Sequence, residues 1–154
     1  MHTYETALTL VGAEVPAHLD RQAPVPVLQG AQAQGDVLIL PMTHEVPGEW
    51  RQVSSAGVRV VDGGSARNTH WLHRGVWSPD VAWLPAAQGV VLGYLRVPDG
   101  QTAQLVHTAE HGANGIGPGV YALHRKRQYD PRAKPRIAPR SAGDGWADWS
   151  LLED

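Results

Sequence analysis

Short apolar stretches, broken at close intervals by glycine and proline, run the length of the chain and predict strands in preference to long helices. Residues 4–11 alternate weakly between apolar and polar and read as a strand. Residues 15–29 hold three prolines and read as a loop, with at most one helical turn at 17–21. The run Val37, Leu38, Ile39, Leu40 lies between Gly35-Asp36 and Pro41. It predicts a buried strand with cover on both faces. Residues 58–61 form a short strand that ends at the turn signal Asp62-Gly63-Gly64. Residues 69–73 and 76–84 are two further strands, separated at Gly75 or at Ser78-Pro79-Asp80.

Residues 90–97 make a strand closed by Pro98-Asp99-Gly100, where proline presets φ and glycine accepts a positive φ. Residues 103–107 are its expected hairpin partner. Residues 112–119 carry four glycines and a proline and read as a loop. Residues 120–129 are the last clear strand. These elements predict an all-β, predominantly antiparallel fold with little helix, a small barrel or sandwich of about seven to nine strands. Residues 1–130 are expected to form one domain, and 131–154 a basic, then Trp- and Leu-containing, C-terminal tail.

Composition narrows the setting. A chain of 154 residues fits one domain and can bury a sizeable core. Its net charge of −2 provides no global field toward nucleic acid or membrane. There are no cysteines, which excludes disulfides and thiolate metal sites and points to a reducing, cytoplasmic compartment. No signal-peptide pattern is present, and the longest apolar runs are far too short to span a bilayer. Phenylalanine is absent, and six tryptophans supply most of the aromatic bulk.

The candidate chemistry falls in two places. The first is a set of histidines, His70 and His73, then His107 and His111, with Glu110 beside the last. Histidine with carboxylate is the usual donor set for zinc or iron when thiolate is absent, and the pairing resembles that of cupin barrels. Along a strand, residues 107 and 111 would face the same way about 13 Å apart. A shared metal at His70, His107 and His111 therefore requires the backbone to turn. His70 and His73 point to opposite faces of a strand. A catalytic use would draw on His70, His107, Glu110 and His111, with imidazole as acid or base. The plainer reading makes these histidines hydrogen-bonded residues near turns.

The second place is the end of the last strand. Of 13 Lys and Arg, seven lie between Arg125 and Arg140. Period two puts Tyr121 and Leu123 on one face with Arg125, Arg127 and Tyr129, so Arg125 and Arg127 should emerge at the rim of the core. Lys126, Arg132, Lys134, Arg136 and Arg140 complete a basic stretch interleaved with Tyr129, a pattern suited to a nucleic-acid backbone. The alternative is a solvated basic edge that discourages strand pairing between molecules. Beyond a polar linker, Trp146, Trp149, Leu151 and Leu152 read as a docking segment for the chain's own domain or for a partner.

Several segments resemble an uncharacterised family of short bacterial and phage-type proteins. They are Gln34-Gly35-Asp36-Val37-Leu38-Ile39, Asn68-Thr69-His70 and Gly93-Tyr94-Leu95. The strongest runs from His107 through Glu110-His111-Gly112 and Pro118-Gly119-Val120-Tyr121 to Arg125-Lys126-Arg127-Gln128-Tyr129. The resemblance spans roughly residues 34–130 and implies a shared fold and site without an assigned activity. Members often have Glu where this chain has Gln128, and a tighter His-x-His where His70 and His73 stand three apart.

Three functions follow as expectations. The first is a non-enzymatic accessory β-barrel module that binds nucleic acid, RNA above all, or a ribonucleoprotein partner. The second is a cupin-like metal-dependent enzyme built on the histidines and Glu110. The third is a structural subunit of a phage-like or multi-protein assembly. No membrane partner is expected, and an oligomer is compatible with the sequence.

Overall fold

The computed structural model describes residues 2–61, 69–86, 89–109, 111–129 and 149–151, with 127–129 and 149–151 described through their backbone. The elements in chain order are α1 (Tyr4–Thr9), β1 (Val27–Leu28), β2 (Gln32–Gln34), β3 (Val37–Pro41), β4 (Arg51–Gln52), β5 (Val58–Val61), β6 (His70–Arg74), β7 (Ala82–Pro85), β8 (Val91–Val97), β9 (Ala103–His107), β10 (Ala113–Ile116), β11 (Gly119–Arg125), β12 (Arg127–Tyr129) and β13 (Trp149–Leu151). Two sheets hold most of them. One has the order β1-β10-β9-β6-β5, the other β2-β3-β11-β8-β7-β4, and β12 pairs with β13 as a separate ribbon. Among the described residues every pairing between these strands is antiparallel except β1 with β10.

The sheets stack as a sandwich. Val37, Ile39, Trp83, Leu95, Tyr121 and Leu123 from the six-stranded sheet meet Val61, Leu72, Ala103, Leu105 and Ile116 from the five-stranded one in a single core. Of the two all-β architectures expected, the sandwich is the one formed, and neither sheet closes on itself. Its eleven strands among the described residues exceed the expected number. Several of them are only two or three residues long, too short to leave a periodic signal.

Local departures from the expected elements have physical causes. Residues 4–9 form a helix where a strand was expected, because Thr3 and Thr6 close a reciprocal capping box and Ala7 and Leu8 are buried together on one side. The glycine-rich 112–119 stretch contains β10, which pairs with β9 across Ala113–Ile116. Gly115 lies so close to the Pro26 carbonyl that a side chain there would displace it. The last long strand breaks at Lys126 into β11 and β12. In the turn before it, the buried Tyr121 hydroxyl donates to the Gly117 carbonyl at 2.8 Å, which gives the Pro118-Gly119-Val120-Tyr121 motif a structural role. No helix among the described residues is long and apolar enough to cross a membrane.

Candidate functional site

Antiparallel pairing brings both sites read in the sequence to one end of the sandwich. His70 opens β6 and His107 closes β9, and the two are direct partners in register. At the same end lie the Gly35-Asp36 turn between β2 and β3, and Arg125, the last residue of β11, opposite Val37. Gly35 takes φ +57°, a conformation that favours glycine and lets Gln34 and Val37 pair across the turn.

His70 and His107 point into the space between the sheets and are buried. Their rings stack with centroids 4.3 Å apart and planes 29° from parallel. His70 Nδ1 lies 3.0 Å from Gln34 Oε1, and His70 Nε2 lies 3.5 Å from Asp36 Oδ1. The Gln34 amide donates to the Leu105 carbonyl at 2.8 Å and to Asn114 Oδ1 at 3.0 Å. Asn114 in turn donates to Gln32 Oε1 and to the Ala33 carbonyl, both at 3.2 Å. Gln34 thus crosses from the six-stranded sheet to the five-stranded one and ties them together where the apolar core ends.

Hydrogen-bond logic fixes the protons. Leu105 O can only accept, so the Gln34 NH2 faces it and Gln34 Oε1 must accept. His70 Nδ1 therefore carries a proton and donates to Gln34. A proton is then needed between His70 Nε2 and Asp36, on either partner, or two lone pairs would face each other in a buried site. His107 behaves differently. Its Nδ1 accepts the His111 backbone N–H at 3.3 Å, which places its own proton on Nε2.

The backbone does turn between His107 and His111, with Gly112 at φ +68°, and their ring centroids come within 4.8 Å. His111 is exposed. The histidines stack where metal ligation would have them converge, and both His70 nitrogens face protein partners. Among the described residues no group of three or more His, Asp or Glu side chains is arranged to hold a metal ion. His73 points to the opposite face of β6, as its spacing from His70 requires. Glu110 lies outside the described residues.

The basic stretch begins where expected. Arg125 follows Tyr121 and Leu123 on the core side of β11, and both it and Lys126 are half-exposed at the rim. The Lys126 backbone N–H donates to the Asp36 carbonyl at 2.6 Å, so the strand exit is pinned to the turn that carries Asp36. Arg127 and Tyr129 continue in β12, where they pair through the backbone with Leu151 and Trp149. Residues 149–151 therefore pair with β12, in a ribbon separate from both sheets. Arg132, Lys134, Arg136, Arg140, Trp146 and Leu152 lie outside the described residues.

Sequence reading passed over three members of this network, Gln34, Asp36 and Asn114. Gln34 and Asp36 flank the turn glycine, and period two from Ile39 through Val37 to Gln34 across the hairpin would have placed Gln34 inside. It also missed Trp77. This residue is 91% exposed at φ +55°, on a turn fastened by the Asp80–Gln101 pair and by the Thr102 N–H to Ser78 Oγ.

A family model described as a domain of unknown function, DUF8820, matches residues 33–126, which run from β2 to the residue after β11. No curated protein and no solved structure matches the chain.

Proposed function

The chain belongs to the DUF8820 family, and from the geometry of its strand ends we propose that it is a non-enzymatic binding module for single-stranded nucleic acid, RNA in particular. The observation that carries this reading is the exit of β11. Arg125 and Lys126 leave the core half-exposed, at the end that the histidine network fills, and five more cations follow by Arg140. Guanidinium groups at a rim suit phosphate oxygens, which accept paired N–H donors. The stretch also contains a tyrosine, Tyr129, a residue type on which bases stack.

The histidines favour binding over catalysis. His70 is buried and both its nitrogens face protein groups, so it is not placed to exchange protons with a substrate. The network instead stiffens the floor beneath the basic rim. A cytoplasmic setting, where RNA is abundant, agrees with the cysteine-free chain.

The test is fluorescence anisotropy with labelled single-stranded RNA and DNA pools at low salt. Micromolar binding that weakens as salt rises supports the reading. A folded protein that leaves both pools unbound at low salt overturns it.

A further inference from the structure

Alternation along the six-stranded sheet sets a second row of side chains on its outer face. Trp83, Leu95, Tyr121 and Leu123 face inward and build the core, so Tyr94 and Arg96 of β8 point the other way. Register places Tyr94 between Ala122 of β11 and Leu84 of β7, and Arg96 between Val120 and Ala82. Two residues apart on one strand, Tyr94 and Arg96 stand about 7 Å from each other. Leu40, Tyr94, Arg96 and Val120 are half-exposed. The strand positions on this face carry no carboxylate among the described residues.

Arg96 is held in place by the loop of residues 42–50. Its guanidinium lies over the Trp50 ring, 4.2 Å from the centroid, in a cation–π stack. That ring is itself fixed, because Trp50 Nε1 donates to the Val46 carbonyl at 3.0 Å. The loop rests on the β7 side of the face, where a methyl added at Gly48 would meet the Leu84 side chain at 2.8 Å. Glu45 and Glu49 of the loop are exposed, and neither pairs with Arg96. Among the described residues Arg96 makes no hydrogen bond and no ion pair. A stacked guanidinium gives its face to the ring and keeps its edge of N–H donors for an acceptor. The stack therefore presents an oriented, unspent set of donors beside a half-exposed tyrosine.

We propose that Arg96, steadied by Trp50, is a phosphate subsite and that Tyr94 beside it is a stacking platform, so that a single strand of RNA entering at the β11 exit continues across the outer face of the six-stranded sheet. The subsite rests on the RNA-binding reading above and extends it to a surface not used there. Continuity and charge both favour this occupant. Arg125 lies three residues along β11 from Ala122, the neighbour of Tyr94, and five from Val120, the neighbour of Arg96. Those steps are about 10 Å and about 17 Å, so rim, ring and guanidinium come in order along the β11–β8 pair. His124 lies between them on the same face. A polyanion with planar bases matches that order of cation, ring and cation. An acidic peptide would match the cations and leave the ring unused.

The test uses the full chain and thiouridine-substituted oligo(U). Irradiation should cross-link the wild type at Tyr94 or Trp50 as well as near residues 125–129. Arg96→Gln removes one phosphate contact, so the slope of log K against log salt should become shallower by about 0.7. Tyr94→Leu keeps an apolar side chain but removes the ring, so it should weaken binding roughly tenfold at unchanged slope. A stack that only clamps the 42–50 loop would alter urea unfolding in Arg96→Gln and leave the slope as it is. Cross-links confined to residues 125–129, or an unchanged slope in Arg96→Gln, overturn the subsite while leaving the rim in place. A wild type that binds no RNA overturns both. If Arg96→Gln fails to fold, the wild-type cross-links decide.

Discussion

His70 and His107 face each other across neighbouring strands, and their stacked rings, 4.3 Å apart, hold their protons on different nitrogens. The Gln34 carbonyl draws the His70 proton to Nδ1, and the His111 N–H drives the His107 proton to Nε2.

This assignment is open to nitrogen NMR. Long-range proton–nitrogen correlation at neutral pH should show His70 protonated at Nδ1 and His107 protonated at Nε2 alone. A His70 whose Nδ1 is a bare acceptor would contradict the assignment.

Gln34 ought to matter for stability beyond its size. Gln34→Leu leaves the Leu105 carbonyl, Asn114 Oδ1 and the His70 Nδ1–H without their amide partner in a buried place. A loss of about 2–4 kcal/mol is expected from urea unfolding. A change below about 0.5 kcal/mol, the size expected of an ordinary surface substitution, would show that the network does not tie the sheets together.

Trp77 makes the opposite case. Its side chain is almost wholly exposed, and its backbone sits in a conformation that strains an L-residue. Asparagine tolerates that conformation, so Trp77→Asn should raise the unfolding free energy by about 1 kcal/mol. A destabilised variant would mean that the ring packs in solution.

The strands that were legible share one property, a run of four or more apolar or alternating residues bounded by turn chemistry. Val91–Val97 and Ala103–His107 are the clearest as strands, but they do not pair as the expected hairpin: the Pro98-Asp99-Gly100 turn carries the chain from the six-stranded sheet to the five-stranded one. Where the run was absent, local bonds decided. The Thr3–Thr6 capping box made a helix of a weakly alternating segment, and glycines permitted β10 where side chains would have prevented its close pairing with residues 26–27. Candidate-site residues were legible individually because histidine and arginine are conspicuous. Their relation was not, since stacking of His70 on His107 depends on the register of β6 with β9. Gln34 was hidden for another reason: an amide becomes informative only once it is known to be buried.

The basic rim at the end of β11 is best tested by the salt dependence of RNA binding, compared between the wild type and the Arg125→Ala, Lys126→Ala double variant. Each lost phosphate contact on a single strand should make the slope of log K against log salt shallower by about 0.7. The double variant should therefore bind more weakly, with a slope reduced by about 1.4. Identical affinity and slope in the two proteins would contradict the account and remove this rim from the binding surface.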